Sequence, residues 1–158
     1  MNRRTKHVRS KRRHGTRKLK SEQKKMEELD LDNPQPLNKK SVVMGIIYAK
    51  WCDHCKDLIP AEDDTESPPK WQQTIDAIKQ KSNKTKDMYY LTIEDDEIKN
   101  GNKLGKFNEK CKGICKQKLT ADGYPTLFKI TGGRLEKYSG QREPELLAKW
   151  FMGKGTKG

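Results

Sequence analysis

No stretch of this chain is apolar over the roughly 20 residues that a bilayer crossing requires, so no membrane span is expected. An apolar core of about 7–15 residues is also missing from the start of the chain, where no apolar run precedes Leu19. A cleaved secretory signal is therefore not expected, and an intracellular setting is. Hydrophobic residues make up only 31% of the 158, aromatics 7%, and charged residues 36%. Part of the chain is accordingly expected to bury nothing. Cysteine is sparse, with four residues that fall into two close pairs.

What the chain has in excess is positive charge at one end. Residues 1–25 hold 12 Lys or Arg against the single acid Glu22, a net of +11, while the remainder holds 23 against 21. The overall +13 thus belongs to the arm, and the domain behind it is nearly neutral. Such an arm reads as a solvated, disordered segment, or as an electrostatic handle for nucleic acid, an acidic partner or an import receptor. It contains no aromatic side chain to stack on bases, which argues against sequence-specific recognition. Any polyanion affinity should fall steeply with salt.

The chemistry sits at Trp51-Cys52-Asp53-His54-Cys55. Two thiols separated by two residues can close and reopen a disulfide with little backbone movement. Before them, Ser41 to Ala49 is a near-continuous apolar run, the pattern of a strand buried on both faces. A strand leading straight into this motif sets the Cys52 sulfur at the start of a helix, where free N–H groups favour the thiolate. His54 is a candidate positive charge beside that sulfur, or simply an exposed helix residue. Asp53 works against the thiolate while suiting the first turn of a helix.

The remaining pattern supplies the organisation. Residues 21–38 read as a polar bridge with a short helix around Glu22–Leu31, closed by Pro34 and Pro36. Residues 1–36 are thus arm and linker, 37–153 the folded domain, and 154–158 a disordered tail. Strands are expected at Val42–Tyr48, Met88–Ile93, Tyr124–Ile130 and Leu135–Tyr138, with a Gly132-Gly133 hairpin turn between the last two. Helices are expected from Cys52 toward Pro60, over Lys70–Gln80, within Asn100–Lys118, and over Pro144–Met152. The acidic run from Glu62 to Pro69 reads as a surface insertion, and Glu94-Asp95-Asp96-Glu97 as a strand end. This order gives an α/β fold with a mixed sheet of about four strands flanked by helices.

Several of these features recur together in one known family. Trp51-Cys52-x-x-Cys55-Lys56, Pro60, Tyr124-Pro125-Thr126 and Gly140 resemble the thioredoxin superfamily. Gly123-Tyr124-Pro125-Thr126-Leu127, Tyr138-Ser139-Gly140-Gln141-Arg142 and the histidine before the second cysteine look most like protein disulfide isomerase domains. The resemblance covers about Asn38 to Met152, with a poor fit over Asp63–Lys70 and Ile98–Lys118. It implies a thioredoxin-like fold and a thiol–disulfide oxidoreductase or isomerase acting on protein disulfides. In that role Cys52 is the nucleophile, Cys55 resolves the mixed disulfide, and His54 assists. Trp51, Tyr124 and Pro125 would border the substrate, with Pro125 cis; without the resemblance Pro125 is a strand-opening proline. No cofactor is implied beyond the Cys52–Cys55 disulfide, and no membrane partner; a monomer is expected. An intracellular domain of this kind with a basic arm is similar to thioredoxin-like proteins of large DNA viruses, some packaged in particles. That suggests cytoplasm, nucleus or virion.

The sequence departs from the family at two positions. The family usually buries an acid six residues before the first cysteine, as a proton relay beneath the second; here that position is Ile46. The lysine that often accompanies the acid falls near Tyr90. Cys111 and Cys115 form the second pair, read as a regulatory or structural disulfide with lysines lowering its thiol pKa values, or as two reduced thiols. Two alternatives to the enzyme stay open: a non-catalytic binding module tethered by its arm, and a four-cysteine zinc protein.

Overall fold

The computed structural model describes residues 26–33, 37–60, 68–81 and 87–153. The basic arm 1–25, the linker prolines, most of the acidic insertion and the 154–158 tail lie outside them.

The central strand β2, Val42–Tyr48, is apolar on both faces because both faces are covered. Its neighbours are β3 (Met88–Glu94), parallel to it, and β4 (Thr126–Thr131), antiparallel. β5 (Arg134–Lys137) completes the hairpin with β4 through Gly132 and Gly133, whose φ values of 57° and 81° suit a left-handed turn. A fifth strand, β1 (Glu27–Glu28), pairs parallel with the outer edge of β3. The sheet therefore runs β1-β3-β2-β4-β5.

Alternation along the strands divides two cores. Met44, Ile46 and Leu127 face Trp71, Ile75 and Ile78 of α2 (Lys70–Lys81) and Leu147 and Phe151 of α5 (Pro144–Met152). Val43, Ile47, Leu91, Ile93 and Phe128 face Phe107 and Cys111 of α4 (Lys103–Cys111), with Ile114, Cys115 and Leu119. Gly45 of β2 fits where nothing larger would. A Cβ there would lie 2.5 Å from the Leu91 carbonyl oxygen and 2.6 Å from the Phe128 ring.

Four sequence expectations need correction. The bridge before the domain is not helical at its described end: Met26 and Leu29 are buried and Leu29 N donates to Tyr90 O at 2.8 Å. An edge strand has free backbone groups to satisfy, and this segment supplies their partners, so the fold begins ahead of residue 37. Among the described residues the sheet accordingly has five strands, one more than the four read from the sequence. The helix after Cys52 is a single turn, α1 (Asp53–Lys56), whose helical hydrogen bonds reach Ile59 and stop before Pro60. The acids after β3 do end the strand, as read, and they also open α3 (Asp95–Gly101), which the sequence reading did not place. Glu94 and Glu97 form a reciprocal capping box, with Glu97 Oε1 accepting from Glu94 N at 2.9 Å.

Candidate active site

β2 delivers Cys52 to the start of α1, with extended backbone (φ −91°, ψ 120°) and its carbonyl accepting from Cys55 N and Lys56 N. The Cys52 sulfur lies 3.6 Å from the Tyr124 carbonyl oxygen, and the Tyr124–Pro125 peptide is cis. Residues some 70 positions apart are thus in contact, in the arrangement that the sequence motifs imply.

Cys55 is fully buried beneath Cys52. Burial pushes its thiol up to about 12, and its hydrogen bond to Cys52 adds to the rise; a hydrogen bond from the Ala49 backbone and, more weakly, the charge of Arg142 work the other way. Ile46 is likewise fully buried. Among the described residues the buried carboxylate is Asp95. It accepts from the Trp51 indole Nε1 at 3.0 Å and lies 3.6 Å from Lys99 Nζ. Trp51 is thereby held although 65% exposed, its ring edge-on to Tyr124 at 5.5 Å. Asp53 and His54 point to solvent, Asp53 in an exposed pair with Lys56 at 3.5 Å.

Two residues near the dithiol were not singled out by sequence reasoning. Tyr48 ends β2 and packs against the Cys52–Cys55 cluster; burial raises its phenol, with Glu94, Glu97 and Cys55 contributing. Its position four residues before Cys52, at a strand end, was the available signal. Arg142 lay within a motif already noted, but only the fold carries its charge toward Cys55.

The second pair sits elsewhere. Cys111 and Cys115 belong to the core that α4 covers, while Cys52 and Cys55 form their own cluster beside Tyr48 and Tyr124. The flanking lysines do not lower the Cys111 thiol: burial raises it to about 12, and Lys110 only moderates this. The four sulfurs do not converge. Among the described residues no three His, Cys, Asp or Glu side chains come together in a way that could hold a metal. The four-cysteine zinc site is not assembled.

A mixed sheet in this order, with a dithiol turn at the carboxyl end of its central strand facing a cis proline, defines a thioredoxin-like fold. Solved structures similar to the chain include thioredoxin domains of protein disulfide isomerase type. The zinc-bound form of human ERp44 matches with a TM-score of 0.51 and 21% identity, over 79% of this chain and 30% of that one. A J-Trx1 fragment of ERdj5 matches at 0.46 and 17%, over 84% and 52%. The first thioredoxin domain of mouse protein disulfide-isomerase A4 matches at 0.45 and 19%, over 71% and 61%. The chain thus spans between 30% and 61% of the length of these chains. No family model matches it.

Proposed function

We propose that this protein is a thiol–disulfide oxidoreductase acting on protein disulfides through Cys52 and Cys55. The observation that carries the reading is the Cys52 sulfur beside the Tyr124 carbonyl and cis Pro125, with Cys55 buried beneath it. An extended substrate chain lying along Tyr124 would bring its disulfide to Cys52. The Cys52 thiolate attacks one substrate sulfur, forming a mixed disulfide and releasing the other as a thiol. Cys55 then loses its proton and attacks the Cys52 sulfur, closing the Cys52–Cys55 disulfide and releasing the reduced substrate. Trp51 and Tyr124 wall the approach, and Arg142 favours the Cys55 thiolate that the second step needs. No cofactor takes part.

The test is reduction of a disulfide-bonded protein substrate together with the reduction potential of the Cys52–Cys55 pair. Replacing Cys52 with Ser is expected to abolish turnover, and an unaffected variant overturns the assignment. A potential near about −270 mV marks a reductase, and one near about −180 mV an oxidase or isomerase. For residues 1–25 we propose a tether to nucleic acid or an acidic partner, whose binding should fall steeply with added salt.

A further inference from the structure

The thiols of Cys111 and Cys115 have no part in this chemistry, yet the fold holds them together. Cys111 is the last residue of α4, and its carbonyl accepts from Ile114 N at 3.0 Å and from Cys115 N at 2.9 Å. The second of these bonds closes an α-turn, which sets Cα atoms four residues apart at about 6 Å. That lies within the roughly 4.4–6.8 Å over which a disulfide can form. Both side chains are buried in one apolar cluster with Phe107, Ile114 and Leu119, and a charge on Cys115 acts on the Cys111 thiol. The turn is braced on either side. Asn108 exchanges hydrogen bonds of 3.0 and 2.8 Å with the backbone of Leu119, and Gln117 Oε1 accepts from Leu135 N at 3.0 Å.

We propose that Cys111 and Cys115 are a second disulfide site, a covalent staple closing the turn between α4 and the segment that leads to Tyr124. Glutathione disulfide is a sufficient oxidant. The Cys115 thiolate attacks it, breaking its S–S bond, forming a mixed disulfide and releasing one glutathione thiolate. The Cys111 thiolate then attacks the Cys115 sulfur, forming the Cys111–Cys115 bond and releasing the second glutathione. Two protons leave the protein and its two electrons end on two molecules of glutathione. Because both sulfurs are buried, reaction requires the turn to open or takes place as the chain folds. Once closed, the bond is shielded from protein reductants, unlike the one at Cys52.

The inference does not depend on activity at Cys52, and its test removes that site. The full-length Cys52→Ser/Cys55→Ser variant is equilibrated, both folded and refolding from denaturant, in graded mixtures of reduced and oxidised glutathione. It is then quenched in acid, unfolded, alkylated and read by peptide mass spectrometry. The expected result is a 111–115 link that appears in a single two-electron transition and excludes alkylation of both sulfurs. A further Cys111→Ser change should remove the link and leave Cys115 as a single thiol or glutathione adduct. Full alkylation of both sulfurs in the most oxidising buffer, from either starting state, overturns the proposal, as do links formed only between chains.

Discussion

Cys55 and Cys111 have their thiols raised from the ordinary 9.0 to about 12, in each case first by burial. A raised value means that folding favours the protonated form. The resulting stability is complete below the unfolded-state value near 9 and is lost as pH climbs toward 12. Urea midpoints of the reduced protein should therefore fall above about pH 9. Replacing both residues with Ala should remove that part of the decline, and an unchanged slope would contradict it. The same burial makes Cys55 slow to yield its proton, since Ile46 offers no acceptor and only the Ala49 backbone and, more weakly, the charge of Arg142 favour the thiolate. Arg142→Gln should therefore slow the resolving step, seen as longer-lived mixed disulfide after rapid acid quenching, while leaving the unfolding midpoint in place.

Gly45 and Lys129 show how firmly single positions fix whole elements. Gly45→Ala sets a methyl against the Leu91 carbonyl and the Phe128 ring, and should cost about 1–3 kcal/mol in urea unfolding. Lys129 is 1% exposed on β4, donating to Trp150 O at 2.6 Å and Gly153 O at 3.3 Å, with its Nζ 4.5 Å from the Trp150 ring centroid. It thereby adds a second donor to the Trp150 carbonyl, which also accepts from Gly153 N at 3.2 Å, and supplies one to Gly153 O just past the end of α5. Lys129→Met should destabilise by about 1–3 kcal/mol, read from the same titration. The strongest elements were legible in sequence because their apolar pattern matched their burial, one face for the last helix and both faces for β2. The Pro144–Met152 helix and the β2 run coincide with expectation. β1 was not legible, since its two strand residues are exposed and its ordering comes from the free edge of β3. The Cys-x-x-Cys turn and cis Pro125 could be read from motifs. The burial of Asp95 against Trp51 could not, because an acidic run read as a strand end gives no sign that one of its carboxylates accepts from a distant indole.

At the scale of the molecule, Met26 and Leu29 fasten the leading segment into opposite cores of one sheet. Deleting residues 1–25 should leave the thermal midpoint unchanged, whereas deleting residues 1–31 should lower it; equal effects would show that the segment carries no weight. Direction matters as much as anchorage. β1 runs parallel to β3 and β2, with Glu27 level with Tyr89 and Tyr89 level with Val43. The chain therefore enters the domain at the amino end of the central strand, about 20 Å from the carboxyl end that bears the dithiol. The junction with the arm at Met26 and the cysteine pair therefore lie toward opposite ends of the central strand, and whatever holds one end leaves the other uncovered.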